Sequence, residues 1–182
     1  PTRPQLFPCA LAAKATRLLF AHLPGSIHTT GDDQLAHRGY CQMAAWFSLY
    51  GAINVRLGIS HALGHKIGPT WNVPHGVTSC ITLPHAMRFM ADRVPERFRP
   101  IADGFGLPFD EAHPKTTAMA CADRMGTFIA QFDVPRRLRD AKVPSEEIGD
   151  VAGIVHGIMD SAHVVDGAVT RGQLESLLAG AL

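Results

Sequence analysis

Apolar residues recur at helical spacing along most of this chain, and this periodicity constrains the fold more than any other feature of the sequence. Between residues 8 and 23, Ala12, Ala15, Leu19 and Leu23 follow one another at intervals of three or four positions, which places them on one helix face. Sustained alternation of apolar and polar residues, the sign of a half-buried strand, is absent. The sequence therefore predicts an all-α fold, a single domain over residues 1–182 with about seven or eight helices.

Prolines, glycines and acidic residues set the expected helix ends. The helix of residues 8–23 should break at Pro24-Gly25. Asp32 and Asp33 should supply the N-cap and the negative first turn of a long helix that runs to Leu57. Further helices are predicted over residues 60–66, 76–90, 95–104, 114–132 and 144–162, with a final helix after a capping box at Thr170.

The stretch from residue 66 to residue 90 is less regular. The helix of residues 60–66 should stop before Gly68-Pro69, and residues 71–74 should be irregular because the residue before a proline avoids the α region. Pro84 should kink the helix of residues 76–90. The β-branched residues between Val77 and Leu83 leave a buried strand open as an alternative.

Composition and charge exclude several classes of protein. Hydrophobic residues make up 46% of the chain and charged residues 18%, which excludes a disordered segment. The formal net charge of +1 gives no argument for nucleic-acid binding. The longest uncharged run, residues 39–55, is shorter than the roughly 20 apolar residues of a membrane-spanning helix. We therefore expect neither a nucleic acid nor a membrane as partner.

The cysteines point to a reducing compartment. No two of them form a CxxC pair, and the spacings between them are wide; they are Cys9, Cys41, Cys80 and Cys121. Widely spaced cysteines in a chain long enough to bury its own core are typical of reduced thiols in a cytoplasmic protein. We therefore expect a cytoplasmic location.

Three histidines form the most informative motif. His61 and His65 are four residues apart and so share one helix face, while His75 follows a Gly-Pro break that lets the chain fold back toward them. Histidine is the commonest metal ligand. No Asp or Glu lies between Asp33 and Asp92, so any carboxylate ligand must come from elsewhere. Ordinary polar or core histidines remain the alternative interpretation.

Two other metal patterns are weaker. A zinc peptidase would need Glu directly after the first histidine, where this chain has Ala62, and its longer variant would need a third histidine where Trp71 stands. Asp33 and His37 are also four apart. We interpret them as a residue of a helix start and a surface histidine.

The segment from Gly58 to Gly68, continued by Asn-Val-Pro-His75-Gly76 and Leu-Pro-His85, resembles the signature of the iron-containing (group III) alcohol dehydrogenases. Residues 97–106 (RFRPIADGFG) and 134–140 (VPRRLRD) resemble the maleylacetate-reductase-like branch. The resemblance extends over essentially the whole chain, and the histidine segment is its most specific part.

The resemblance implies a two-domain oxidoreductase. In that family a nucleotide-binding domain precedes an all-helical domain of the dehydroquinate-synthase-like type, and the active site lies between them. Iron, or sometimes zinc, is held by one Asp and three His. By motif position His61 and His75 match two histidine ligands, and His65 matches a catalytic histidine that relays a proton. The resemblance also implies NAD or NADP as cofactor. Ile53 and Leu57, one to three turns before His61, are expected to line the substrate pocket, with ordinary core positions as the alternative.

Part of the family pattern is missing from this chain. The first two ligands, an Asp-x3-His pair, would fall just before Pro1, and Asp33 and His37 do not replace them. Gly104-Phe-Gly106 is too short for a dinucleotide fingerprint. We therefore expect an excerpt or processed part of a longer chain that also holds the nucleotide-binding domain, and no hydride transfer by the excerpt alone.

The expected reaction of the longer protein is the interconversion of an alcohol and a carbonyl, or reduction of a maleylacetate-type substrate, on a small molecule. A homo-oligomer is compatible with the resemblance. Two alternatives stay open: a free-standing, non-catalytic helical module that binds a metal or a partner, and an unrelated helical bundle.

Overall fold

A computed structural model describes residues 5–52, 55, 58–162 and 169–182. These residues form α-helices and short 3-10 helices and contain no strand, which confirms the all-α prediction. The α-helices are α1 (Leu6–His28), α2 (Gly31–Ala52), α3 (Ile59–Trp71), α4 (His75–Arg93), α5 (Arg99–Phe105), α6 (Pro114–Ile129), α7 (Ile148–Ala162) and α8 (Arg171–Gly180). The alternative of a buried strand over residues 77–83 is wrong, because that segment lies inside α4.

The chain divides into two compact units. The first, called the histidine unit below, comprises Leu57–Arg93 and Ala122–Leu182. The second, called the α1–α2 unit, comprises Thr2–Arg56 and Val94–Cys121.

In the α1–α2 unit, two long helices pack against each other around a small apolar cluster. Ala15 and Leu18 of α1 and Ala44 of α2 are buried together. A Cβ on Gly51 of α2 would lie 3.4 Å from the carbonyl oxygen of Pro8 on α1, so the two backbones approach closely there.

Helix α1 does not break at Pro24-Gly25 as predicted but continues to His28. A proline removes one N–H donor from the helix ladder, yet the bonds beyond it form: the amide of Thr29 donates to the carbonyl of Gly25 at 3.1 Å. Gly25 serves packing instead, since a Cβ there would meet the ring of His37 at 2.5 Å. The tertiary contact therefore outweighs the local turn signal.

The start of α2 also differs from the prediction. The helix begins at Gly31, whose φ is +65°, so Asp32 and Asp33 lie in its first turn and neither is the N-cap. The expected negative first turn is confirmed. The described helix ends at Ala52. Of the predicted extension to Leu57, the structure describes only Val55, which is not helical.

The histidine unit has a continuous apolar core. It is built from α3, α4, α7 and α8, and its fully buried side chains include Leu63, Ile81, Leu138, Val155 and Leu174. The amide of Leu138 donates to the carbonyl of Ala181 at 2.8 Å, which ties the loop before α7 to the C-terminus.

Helix α3 runs through the predicted stop at Gly68-Pro69 and ends at Trp71. Asn72 closes it in the left-handed conformation, with φ 53°, and the amide of Val73 donates back to the carbonyl of Gly68 at 3.0 Å. The irregular segment therefore begins one residue later than predicted. Pro84 lies inside α4.

The remaining helix ends are close to the predictions. The predicted helix of residues 95–104 is a 3-10 turn, Pro95–Phe98, followed by α5, and two further 3-10 turns, Arg139–Ala141 and Ser145–Glu147, precede α7. The capping box is confirmed: the amide of Gln173 donates to Thr170 Oγ1 at 3.2 Å, and the amide of Thr170 donates to Gln173 Oε1 at 2.9 Å.

One of the described helices, α1, is long and apolar enough to cross a membrane by length and composition alone, with a mean hydropathy of 1.2 over its best window. Mostly buried core helices of soluble proteins and N-terminal signal sequences meet the same two criteria, so this finding is weak evidence for a membrane span.

Candidate functional site

Two helix starts bring the three histidines together. His61 lies in the first turn of α3 and His65 one turn further along, while His75 is the first residue of α4. The ring centroids are 4.3 Å apart for His61 and His65, 4.9 Å for His61 and His75, and 5.2 Å for His65 and His75. The predicted convergence of these side chains is therefore present in the fold.

His61 is the centre of this cluster. Its Nε2 lies 2.7 Å from Nε2 of His65, and its Nδ1 lies 3.3 Å from Nε2 of His75. Because a neutral imidazole has one N–H and one acceptor nitrogen, His61 can donate to one neighbour and accept from the other. The three rings thus form a short hydrogen-bonded chain from His75 through His61 to the exposed His65.

Close packing of α3 against α4 makes this arrangement possible. Gly64 is buried, and a Cβ on it would lie 2.8 Å from Cε1 of His75 and 2.9 Å from Oγ1 of Thr78. Thr78 in turn donates its hydroxyl to the carbonyl of His75 at 2.7 Å. Only glycine therefore leaves room for the His75 ring beside α3, a requirement that the sequence argument did not identify.

The environment favours a neutral His61. Burial lowers the pKa of His61 below 6.5, and the positive charges that His65 and His75 would carry lower it further. A neutral imidazole is the form that coordinates metal ions.

The imidazole nitrogens of this cluster are suitable ligands for a divalent metal, but they do not form a complete metal site. Imidazole nitrogens are common ligands of zinc and iron. Among the residues that the structure describes, however, no group of three or more His, Cys, Asp or Glu side chains has the arrangement of a metal site. The nitrogens of His61 face the neighbouring rings rather than a point shared by all three. His61 and His75 could therefore supply two imidazole ligands, and a metal held by them would need further ligands.

Other predicted site residues have different outcomes. Ile53 and Leu57, the expected pocket residues, lie outside the described part of the chain.

His37, interpreted from the sequence as a surface histidine, is partly buried, and its Nδ1 lies 3.0 Å from Nδ1 of His22. His22 also stacks on Tyr40, with ring centroids 4.1 Å apart. The sequence analysis missed this second histidine pair because its members lie on separate helices.

Comparisons with known proteins agree on the family. The family model described as "Fe-containing alcohol dehydrogenase family, C-terminal" matches residues 7–178. Lactaldehyde reductase of Escherichia coli (strain K12) is 31% identical over 143 residues, which cover 79% of this chain and 36% of that protein. The match therefore covers most of this chain but only part of the relative.

Solved structures show the same fold. An alcohol dehydrogenase from Oenococcus oeni matches with a TM-score of 0.84 and 21% identity, over 95% of this chain and 44% of that one. Maleylacetate reductase from Rhizobium sp. strain MTP-10005 matches with a TM-score of 0.69 and 22% identity, over 97% and 46%. Maleylacetate reductases are one of several kinds of enzyme among the matched structures, and the matches do not favour that branch over the others. This chain spans less than half the length of these relatives.

Proposed function

This chain belongs to the Fe-containing alcohol dehydrogenase family, and from that premise we propose that it supplies the helical half of a metal-dependent NAD(P) oxidoreductase that interconverts an alcohol and a carbonyl. The observation that carries the proposal is the convergence of His61, His65 and His75 at the adjoining ends of α3 and α4. The partial coverage of the relatives supports a longer protein in which a nucleotide-binding domain completes the site.

Each histidine has a distinct role in this proposal. His61 and His75 hold a divalent metal, iron or zinc, together with ligands from outside this chain. When bound, the metal supplies Lewis-acid polarisation of the alcohol or carbonyl oxygen, and the nicotinamide exchanges the hydride. His65 is exposed and lies 2.7 Å from His61, so its ring can pass a proton between the site and solvent.

We assign the substrate to the small alcohols, aldehydes or ketones, with maleylacetate-type substrates as the narrower candidate. Residues 97–106 and 134–140 support that branch by resemblance. The proposed location of the longer protein is the cytoplasm, in keeping with the free cysteines.

An exposed apolar face on α2 supports a covering partner. Leu35, Trp46 and Leu49 lie on one side of this helix, and each is 64% exposed. Large apolar patches on a protein surface mark interaction sites. We propose that the remainder of the longer chain covers this face.

The same face favours the second candidate, a free-standing helical module that binds a partner without catalysis. The reading frame upstream of Pro1 separates the two. A glycine-rich nucleotide-binding turn and an Asp-x3-His pair in that frame support the oxidoreductase, and a start codon at Pro1 supports the module.

Metal titration by calorimetry tests the incomplete site directly. We expect Zn²⁺ and anaerobic Fe²⁺ to bind the 182-residue chain only weakly, with a dissociation constant of roughly a millimolar, because two imidazoles give two ligands where a closed zinc site has four. His61→Ala and His75→Ala should abolish this binding, while His65→Ala and the control His28→Ala, on the exposed end of α1, should retain it. Submicromolar binding would contradict the proposal of a shared site.

A hydride-transfer assay of the same chain, followed by nicotinamide absorbance, provides the second test. We expect no turnover of any small alcohol or aldehyde. Turnover by the purified chain would show that the catalytic site is complete within it.

A further inference from the structure

A small polar pocket in the histidine unit lies outside the histidine cluster. His85 and Arg136 line it, and both occur in segments that carry the family resemblance, but neither side chain has been given a function above. The pocket encloses about 210 Å³. Helix α4 forms one wall with Pro84, His85 and Arg88, and the end of α6 and the loop after it form the other with Ile129 and Arg136. From this combination of cationic and apolar walls, we propose that the pocket binds a small organic carboxylate.

The helix register explains how α4 forms its wall. Ile81, His85 and Arg88 follow one another at spacings of four and three residues, so they lie on one helix face. Ile81 is 1% exposed and Pro84 is buried, which gives the pocket an apolar floor. A carbon skeleton suits this floor better than a fully hydrated inorganic anion does.

The two arginines are not equivalent. Arg88 is paired: its Nη2 lies 2.5 Å from Oδ1 of Asp123, so the two charges largely cancel. Arg136 has no hydrogen-bond or ion-pair partner among the described residues, and it is exposed at the mouth of the pocket. The uncompensated charge is therefore that of Arg136, whose planar guanidinium can hold a carboxylate through two parallel hydrogen bonds.

His85 supplies a second polar group. Its ring is partly buried beside α8, where a Cβ on Gly180 would lie 3.4 Å from Nδ1 of His85. Within the part of the chain that the structure describes, neither ring nitrogen has a hydrogen-bond partner. Burial and the neighbouring Arg88 lower the pKa of His85, so the ring stays neutral near pH 7 and can donate one N–H. A partly desolvated donor without a partner is stabilised by an acceptor in the pocket.

Cys80 also lines this pocket, but its thiol is not activated as a nucleophile. Burial raises the pKa of the Cys80 thiol, so the thiolate that would react is disfavoured. The pocket therefore has the groups for recognition of an anion and lacks an activated nucleophile.

The test compares ligands that differ in charge and in carbon content, with binding to the 182-residue chain followed by NMR shifts of the His85 ring. Propionate should bind, while its uncharged analogue propionamide should not. Inorganic phosphate should bind more weakly than propionate because it cannot use the apolar floor. Shifts induced equally by propionamide, or tighter binding of phosphate, would overturn the assignment of an organic carboxylate.

Matched variants separate a site from general attraction. Arg136→Ala should weaken propionate binding by about tenfold or more, because it removes a charge-assisted pair. Arg137→Ala removes the same charge from the adjacent residue outside the pocket lining and should leave the affinity unchanged. His85→Phe, which keeps the ring and removes the donor, should also weaken binding. Equal losses in Arg136→Ala and Arg137→Ala would show non-specific attraction and overturn the proposal, as would the absence of binding to the unmodified chain.

Discussion

Helices α2 and α4 have similar lengths but very different surroundings. α4 has 19 residues, and seven of them are buried, among them Ile81, Met87 and Ala91. α2 has 22 residues, of which only Ala44 and Gly51 are buried. α4 lies in a core that helices of its own unit surround, whereas α2 packs against α1 on one side and leaves its opposite side exposed.

The difference shows how much apolar surface each unit buries with residues of this chain alone. The histidine unit buries large aliphatic side chains such as Leu63 and Leu174, whose removal from water is the dominant favourable term in folding. In the α1–α2 unit, Trp46 and Leu49 of α2 are each 64% exposed and contribute little to stability in this chain. An external cover would add the burial that α2 lacks.

The largest expected effect comes from truncating matched leucines. Leu174→Ala should lower the free energy of unfolding by about 2–5 kcal/mol, because a fully buried leucine leaves a cavity in the histidine unit. Leu49→Ala should change it by less than about 0.5 kcal/mol, because that side chain is already exposed. Urea unfolding followed by circular dichroism measures both. Similar losses in the two variants would contradict the contrast between the units.

Glycine substitutions give the next largest contrast. Gly64→Ala should destabilise the chain by about 1–3 kcal/mol and displace the His75 ring, because the new Cβ would lie 2.8 Å from that ring. Gly39→Ala on α2 has no atom within 4 Å of the new Cβ and should stabilise the chain by about 0.5–1 kcal/mol. Thermal unfolding and the NMR shifts of His75 provide the measurements. A tolerated Gly64→Ala would show that the close approach of the two helices is not required.

Polar substitution on the exposed face of α2 should change surface behaviour rather than stability. The double variant Trp46→Gln and Leu49→Gln should bind less of the dye ANS, which reports exposed apolar surface, and should change the unfolding free energy by under about 1 kcal/mol for the two sites together. Ile154→Gln on α7 is the control, since Ile154 is an exposed apolar residue, at 44%, outside the α2 face. If the control lowers dye binding as much, the α2 face is not the main apolar surface.

The smallest expected effect is a pH dependence to which histidines of both units contribute, with His22 and His85 as the two tested below. Burial and the charge of His37 lower the pKa of His22, and burial and Arg88 lower the pKa of His85. The unfolded chain therefore binds protons at a higher pH than the folded one, so stability should fall as the pH drops below about 6.5 and should be flat above it. NMR titration should place both rings below 6.5, and His22→Gln and His85→Gln should each reduce the slope of stability against pH. Ring titrations at or above 6.5 would contradict this prediction.

Several features could be predicted from the sequence because they depend on short-range spacing. The helical periodicity gave the all-α class, and the four-residue interval of His61 and His65 placed both on one face. The capping box at Thr170 could also be predicted from the sequence, because its two hydrogen bonds join residues three apart. The resemblance in the histidine segment pointed to the family that the family model then matched.

The features that the sequence did not determine involve contacts between distant residues. The turn signal at Pro24-Gly25 was overridden where Gly25 meets His37 of the neighbouring helix, and the same chain reversal paired His22 with His37. The central position of His61 depends on how closely α4 approaches Gly64. Local propensities amount to about 1 kcal/mol or less for most residues and about 3 kcal/mol for a proline inside a helix, so the packing of one helix on another can decide where a helix ends and which side chains meet. Periodicity along the chain thus determined the helices, and tertiary packing determined the site.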